Sequence, residues 1–239
     1  DPDKQYSTIT EHNQWTLNSD AKYVYYTDNE TVNGLAFPQV PEVKGKPLVC
    51  DMTSSLLSKP IDVRQYGLIF AGTQKNIAPA GLTIVIMRED LLDEHQANLP
   101  TTYDYQTFKA HQSLYYTPAT FTIYMAGLMF NYLLTNGGLT AMAKLNHTKA
   151  ERLYQAIDNS DFYNNPIDKP YRSMMNIPFT LANEALNSRF LEQAKVAGLT
   201  ALKGHRLVGG MRASIYNAMP LAGVDALIDF MQAFAQQHG

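Results

Sequence analysis

Two charged side chains in the first third of the chain follow strand-like segments. Lys75 lies in AGTQKN, directly after the apolar run GLIFA, and Asp51 closes the run PLVC. Open α/β sheets bind ligands at the carboxyl ends of their strands, so both side chains could face one site. A lysine in such a site can condense with an aldehyde cofactor and later move a proton. A carboxylate there can hold a proton on a nitrogen of the cofactor ring.

Each residue also has a plain structural interpretation. Most lysines are solvated, so Lys75 taken alone is a surface residue in a turn. Asp51 precedes Met-Thr-Ser-Ser and could cap a helix. Taken together, the pair favours a pyridoxal phosphate site. That cofactor needs an amine that reacts with its aldehyde, and a carboxylate beside its ring nitrogen. The residues alone predict a possible Schiff-base enzyme.

Cations near the C-terminus could bind a small acidic molecule. Arg212 lies in GGMRAS, and a planar guanidinium suits a carboxylate. His205 and Arg206 follow Lys203 on a glycine-flanked loop, where the three could hold a phosphate dianion. The alternative is that all of them are solvated surface charges.

Composition and missing motifs exclude several other functions. The chain is 45% hydrophobic and 17% charged, which predicts a packed core. Its net charge of −3 gives no basic field for nucleic acid or for an acidic membrane surface. No apolar run reaches the roughly 18–20 residues of a membrane span. A single cysteine, Cys50, excludes an internal disulfide, and the histidine spacing supports no metal site.

The hydrophobic pattern predicts an α/β arrangement followed by a smaller α+β domain. Strands are predicted at residues 22–26, 47–50, 67–71, 82–87, 174–181 and 210–215, and helices at 118–135, 139–157, 185–197 and 224–236. Apolar runs without alternation predict first-domain strands that are buried on both faces. Residues 28–34 (DNETVNG) are expected to form a turn. The domain boundary is placed between residues 1–137 and 138–239, at the Gly137-Gly138 pair.

Several longer segments resemble phosphoserine aminotransferases. They include LVCDMTSSLLSKPIDV, YGLIFAGTQKNIAPAGLTIVIMREDLL and LKGHRLVGGMRASIYNAMPL, and they occur in that family's order. The AGxQKN and KGHRxVGGxRASxYNA patterns are the most specific. The resemblance implies a class-V, fold-type I pyridoxal-phosphate transferase, with a mixed, mostly parallel sheet in the large domain.

The resemblance also implies roles for residues around the cofactor and the substrate. Lys75 would form the Schiff base with pyridoxal 5'-phosphate, and Asp51 would bind the ring nitrogen. Thr31 would hydrogen-bond the ring hydroxyl, and Gln74 would contact the cofactor. Among the cations, His205 and Arg206 would bind the substrate phosphate and Arg212 its carboxylate.

A homodimer is implied as well. Thr117 and the residue before it would reach the phosphate of the partner's cofactor. That preceding residue is Tyr116, where the family usually has Asn. A phenol can donate a hydrogen bond to phosphate, but it is much bulkier than an amide.

The implied reaction transfers an amino group between glutamate and 3-phosphohydroxypyruvate in cytoplasmic serine biosynthesis. A related role in pyridoxine biosynthesis is also implied. Alternatives are another class-V enzyme, such as a desulfurase, or an inactive fragment. Family members have further residues before the matching part, with a phosphate loop and a ring that stacks on the cofactor. We therefore expect this chain to lack the family's N-terminal part.

Overall fold

The computed structural model describes residues 6–94 and 98–239, which form two sheets, a short hairpin and several helices. The strands are Val24–Thr27 (β1), Asn29–Glu30 (β2), Leu35–Ala36 (β3), Leu48–Asp51 (β4), Leu68–Gly72 (β5), Thr83–Met87 (β6), Tyr163–Asn164 (β7), Asn176–Leu181 (β8) and Met211–Ser214 (β9). The α-helices are Tyr105–Ala110 (α1), Thr120–Thr135 (α2), Gly138–Asp158 (α3), Asn187–Val196 (α4) and Leu221–His238 (α5). Within these ranges, no helix is both long and apolar enough to span a membrane.

The first sheet has the strand order β1-β4-β5-β6. The strands β1, β4 and β5 run parallel, and β6 runs antiparallel to β5. The prediction of a mixed, mostly parallel sheet is therefore confirmed. One face packs on an apolar cluster that includes Cys50, Met52, Ile69 and Ala71. The parallel strands end on the same edge, which brings Asp51 and the residues after β5 together.

The prediction that these strands are buried on both faces was wrong. Burial alternates along β4 and β5, and β6 has no fully buried residue. Val85 and Ile86 of β6 are 36% and 38% exposed. The reason is position: β6 is an edge strand, and an apolar run does not reveal which of its neighbours will cover it.

The segment predicted as a turn is a small hairpin. The strands β2 and β3 pair antiparallel, with Asn29 opposite Ala36, and residues 31–34 form the turn between them. Gly34 has a φ of +81°, and a Cβ at this position would lie 2.3 Å from Cδ of Pro178. Only glycine meets both demands, because the backbone is left-handed and passes directly against β8.

The second sheet is antiparallel, in the order β7-β8-β9, and packs with α3, α4 and α5 on a separate apolar cluster. The predicted helices are all present with small shifts at their ends. The helix α2 begins at Thr120 with Ala119 as its N-cap, so Pro118 precedes the helix. Gly137 has a φ of +90° and separates α2 from α3. A domain boundary at this point remains a prediction.

Candidate active site

Lys75 lies in a tight turn directly after β5. The turn is closed by Thr73, whose carbonyl accepts hydrogen bonds from the amides of Ile77 (3.1 Å) and Ala78 (2.9 Å). The hydroxyl of Thr73 donates to the carbonyl of Pro79 at 2.7 Å. Thr73 is fully buried and Lys75 is half-buried. The amine of Lys75 therefore extends from a turn whose backbone is held by the hydrogen bonds of the buried Thr73.

Asp51 is the last residue of β4, the strand between β1 and β5. Its Oδ1 accepts a hydrogen bond from the amide of Thr53 at 2.8 Å. The hydroxyl of Thr53 in turn accepts one from the amide of Gly72, at the end of β5, at 3.2 Å. Residues 53–57 form a turn and no helix, so Asp51 closes a turn and ties two strand ends together.

Three charged groups lie near enough to Lys75 to change its pKa. Burial lowers the pKa of the Lys75 amine, and Arg212 lowers it further. The carboxylates of Asp51 and Glu30 act in the opposite direction, and the net result is a pKa below the ordinary value. A lowered pKa leaves more of the amine uncharged, which is the form that attacks an aldehyde.

Arg212, on β9, reaches across to the hairpin of β2 and β3. Its Nη1 donates a hydrogen bond to the carbonyl of Thr31 at 2.7 Å. The turn that presents this carbonyl is held by Glu30, whose carboxylate accepts from the amides of Val32 (2.6 Å) and Asn33 (2.7 Å). Thr31 and Arg212 are thus direct neighbours, and Arg212 and Glu30 both act on the charge of Lys75.

The remaining predicted cations lie on the loop before β9. The loop is narrow because the amide of Gly204 donates to the carbonyl of Gly210 at 2.9 Å. Nδ1 of His205 accepts from the amide of Leu207 at 3.3 Å, which orients the ring. Arg206 is exposed and forms no ion pair with any residue in 6–94 or 98–239. Within the described ranges, neither side chain forms a hydrogen bond or an ion pair with Lys75.

Three further predicted residues lie on the surface of the single chain. Gln74 is exposed, and its amide folds back over Gly72, where a Cβ would lie 2.5 Å from Oε1 of Gln74. Tyr116 is 63% exposed and packs edge-to-face on Phe108, at 6.3 Å between ring centroids. Thr117 is also exposed. Within the described residues, Tyr116 and Thr117 are not brought to Lys75.

Sequence reasoning missed a buried polar network that joins the two sheets. Nδ2 of Asn29 donates to the hydroxyl of Ser54 (2.8 Å) and to Oδ1 of Asn176 (3.0 Å). The hydroxyl of Ser173 donates to Oδ1 of Asn29, and Nδ2 of Asn176 donates to the hydroxyl of Ser214 (3.0 Å). In the sequence, these residues look like ordinary turn formers, because asparagine and serine are typical of turns.

A second missed contact involves the residue beside Lys75. Nδ2 of Asn76 donates to the carbonyls of Ser54 and Leu56, both at 3.2 Å. Its Oδ1 accepts from the amide of Asn217, after β9, at 3.1 Å. Asn76 is therefore bound both by the loop after β4 and by the loop after β9. The sequence signal for Asn76 was its place in the AGTQKN segment, and that for Asn217 its place in the YNA segment.

Comparison with known proteins gives a consistent assignment. Residues 1–227 match the family model described as aminotransferase class-V. A phosphoserine aminotransferase of Acinetobacter baumannii is 56% identical over 231 residues, covering 97% of this chain and 64% of that protein. The chain thus spans less than two thirds of the length of the curated relatives it matches.

Solved structures agree in fold. A phosphoserine aminotransferase from Bacillus circulans subsp. alkalophilus is 42% identical with a TM-score of 0.97, covering 100% of this chain and 66% of that one. A pyridoxal-phosphate-bound phosphoserine aminotransferase from Trichomonas vaginalis is 40% identical with a TM-score of 0.90, covering 95% and 64%. The predicted fold-type I architecture is therefore confirmed. On the match over residues 1–227 and this shared fold, the chain belongs to the class-V aminotransferase family.

Proposed function

We propose that this chain carries the catalytic lysine of a pyridoxal-phosphate-dependent transaminase. The observation that carries the proposal is the juxtaposition of Lys75 and Asp51 at neighbouring ends of parallel strands, close enough for one charge to influence the other. This cofactor requires an amine for its aldehyde and a carboxylate for its ring nitrogen, and Lys75 and Asp51 supply both at one edge of the sheet. The family membership and the likeness to a pyridoxal-phosphate-bound relative support the same cofactor.

The side chains fit the chemistry of the cofactor. Pyridoxal phosphate, when bound, supplies an aldehyde for an amine and a protonated ring that withdraws electrons. Lys75 would hold the aldehyde carbon and then move a proton at the substrate α-carbon. Asp51 would hold the proton on the ring nitrogen, since its Oδ2 has no hydrogen-bond partner among the described residues. Thr31 and Gln74 would contact the ring from the flanking turns.

We assign the substrates as glutamate and 3-phosphohydroxypyruvate, which would yield 2-oxoglutarate and phosphoserine for serine biosynthesis. Arg212 would bind the α-carboxylate that both substrates share. Its present acceptor, the carbonyl of Thr31, is neutral, and a carboxylate is the stronger acceptor for a guanidinium. His205 and Arg206 would bind the phosphate, and the same clamp would serve a phosphorylated substrate of pyridoxine biosynthesis.

We further propose a cytoplasmic homodimer. Tyr116 and Thr117 are exposed on one chain, as they would be if they contacted the phosphate of the partner's cofactor. The rival desulfurase activity has less support. It needs a mobile, ionised thiol, whereas Cys50 is fully buried and burial raises its pKa to about 12.

The test is a steady-state transamination assay, with glutamate and 3-phosphohydroxypyruvate, on the protein made from its whole reading frame. We expect turnover of both substrates. Asp51→Asn should lower kcat by roughly 100-fold with a smaller change in KM, because an amide cannot hold the ring proton. An unchanged kcat in Asp51→Asn would restrict Asp51 to its turn. No turnover at saturating pyridoxal phosphate would contradict the proposed function.

A further inference from the structure

Lys149 is a fully buried lysine on α3, with 0% of its surface exposed. It forms no ion pair with any residue of the described ranges. Nζ instead donates to three main-chain carbonyls, those of Ile215 (3.1 Å), Tyr216 (2.9 Å) and Met219 (3.0 Å). All three lie in the loop that follows β9. Burying an ammonium group is costly, so its retention here calls for a specific role.

One of those carbonyls belongs to a peptide group that also reaches the active site. The Tyr216–Asn217 peptide has its oxygen bound by Lys149, and its N–H donates to Oδ1 of Asn76 at 3.1 Å. A cation on a peptide oxygen polarises the group and makes its N–H a stronger donor. Lys149 therefore both fixes and strengthens the hydrogen bond that holds the residue next to Lys75.

The contacts from Lys149 through the Tyr216–Asn217 peptide to Asn76 are called the brace below. The side chain of Asn217 connects this brace to the loop after β4. Its Nδ2 donates to the carbonyl of Leu57 at 2.9 Å, and its Oδ1 accepts from Nδ2 of Asn146 on α3 at 2.8 Å. Leu57 has a φ of +65°, a conformation that bulky residues avoid and that surrounding contacts must maintain. Asn146 and Lys149 lie one turn apart on α3. Asn146 binds the side chain of Asn217, and Lys149 binds the peptide group that precedes it.

We propose that Lys149 is a positioning residue for Lys75, acting through the Tyr216–Asn217 peptide and Asn76. Its side chain has no exposed surface, so the role proposed for it involves no contact with substrate or cofactor. Its role is to keep the turn after β5 in one arrangement relative to the loop after β9, so that the amine of Lys75 stays aligned with the carboxylate of Asp51. The catalytic consequence rests on the function proposed above, whereas the structural coupling does not.

The variant Lys149→Met keeps the length of the side chain and removes all three donated hydrogen bonds. We expect kcat to fall roughly 10- to 100-fold, with KM changed much less, because small misplacements of a catalytic group slow the chemistry. In the cofactor-free protein, the amide of Asn217 should exchange its hydrogen faster. The rate at which an amine-specific reagent labels Lys75, read by mass spectrometry, should also change.

Two variants on the same helix serve as controls. Lys144→Met removes an exposed lysine and should change none of these readouts. Leu153→Ala removes a fully buried side chain and should lower the denaturant midpoint of unfolding, without altering the labelling of Lys75. Asn76→Ala should reproduce the loss of kcat seen in Lys149→Met, and the double variant should lose little more, because both changes break one chain of contacts.

The outcomes separate the brace from the enzyme assignment. A wild-type protein without transaminase activity would contradict the proposed function. Hydrogen exchange at Asn217 and labelling of Lys75 would still test the brace. A Lys149→Met protein that matches Leu153→Ala in every readout would reduce Lys149 to a stabilising residue and overturn the proposal. Additive losses in the double variant would overturn it as well. If Lys149→Met does not fold, Lys149→Gln takes its place, with the same pattern expected at smaller size.

Discussion

The turn that carries Lys75 and the loop that carries Arg206 differ in how deeply their flanking residues are buried. Around Lys75, the flanking residues Thr73 and Asn76 are buried, and every polar group described for them binds main chain. Around Arg206, backbone hydrogen bonds also close the loop, from Gly204 to Gly210 and from Val208 and Gly209 to His205, but the side chains are solvated. Arg206 is exposed, and Leu207 is 77% exposed. A group that forms a bond with a cofactor must be in place beforehand, whereas cations that grip a phosphate can be ordered by the ligand itself.

The largest effect is expected in the turn after β5. Lys75→Ala should lower turnover by several orders of magnitude, roughly 10⁴-fold, because it removes a covalent catalyst and a proton carrier together. Stability should change little, since Lys75 is only half-buried. Steady-state assays beside Lys144→Ala, an exposed lysine on α3, measure this. Near-normal turnover in Lys75→Ala would exclude it as the catalytic amine.

Substitutions of Arg212 and Arg206 should affect differently the two half-reactions, one with glutamate and one with the phosphorylated oxo acid. Arg212→Ala should weaken both substrates, because both carry an α-carboxylate. Arg206→Ala should raise KM only for the phosphorylated substrate, since glutamate has no phosphate. Each loss of a charge-assisted contact should cost about 2–3 kcal/mol, or roughly 30- to 150-fold. Half-reactions measured one substrate at a time decide this, and equal losses for glutamate in both variants would contradict the division.

The narrow base of the loop offers a milder change. A Cβ on Gly204 would lie 1.9 Å from the carbonyl oxygen of Gly209, so Gly204→Ala must open the loop. We expect roughly a tenfold higher KM for the phosphorylated substrate, with kcat for glutamate retained, because only the phosphate clamp is displaced. Gly127→Ala, in α2, is the matched control, because a Cβ there meets nothing within 4 Å. An unchanged KM in Gly204→Ala would mean that the loop geometry does not set phosphate affinity.

The smallest expected effect concerns pH and the brace behind the turn. Burial lowers the pKa of Lys149 from the ordinary value of 10.5 to about 8. Between these values the unfolded chain binds more protons than the folded one, so this residue makes the free energy of unfolding rise with pH. The slope is at most about 1.4 kcal/mol per pH unit. Denaturant titrations from about pH 7 to about pH 9.5 should show that Lys149→Met lacks this rise. A wild type and variant with parallel profiles would argue against the lowered pKa.

Much of the fold was predictable, because strands and helices leave strong local patterns. The parallel strands that end at Asp51 and Gly72 and the helices around Gly137 are clear in the sequence. Lys75 was identified because a charge directly after an apolar strand is unusual. The edge position of β6 was not predictable, since it depends on which strands pair. Tertiary contacts, not local pattern, determine such features.

The supporting residues could not be predicted for the same reason. Asn29, Asn76 and Asn217 look like turn residues in the sequence, yet all three are buried between the two sheets. Lys149 would be assigned to the surface of α3 by its residue type. Its role depends on three carbonyls that lie between 66 and 70 residues away in the chain. Only the folded structure reveals such partners.

We propose Lys75 as the residue that holds the cofactor, and this assignment can be tested directly. The most direct measurement loads the protein from its whole reading frame with pyridoxal phosphate, reduces it with borohydride and maps the modified lysine by peptide mass spectrometry. Reduction makes the link between cofactor and amine permanent. We expect one pyridoxyl group, on the peptide that contains Lys75. A pyridoxyl group on another lysine, or none under conditions in which the protein is active, would contradict it.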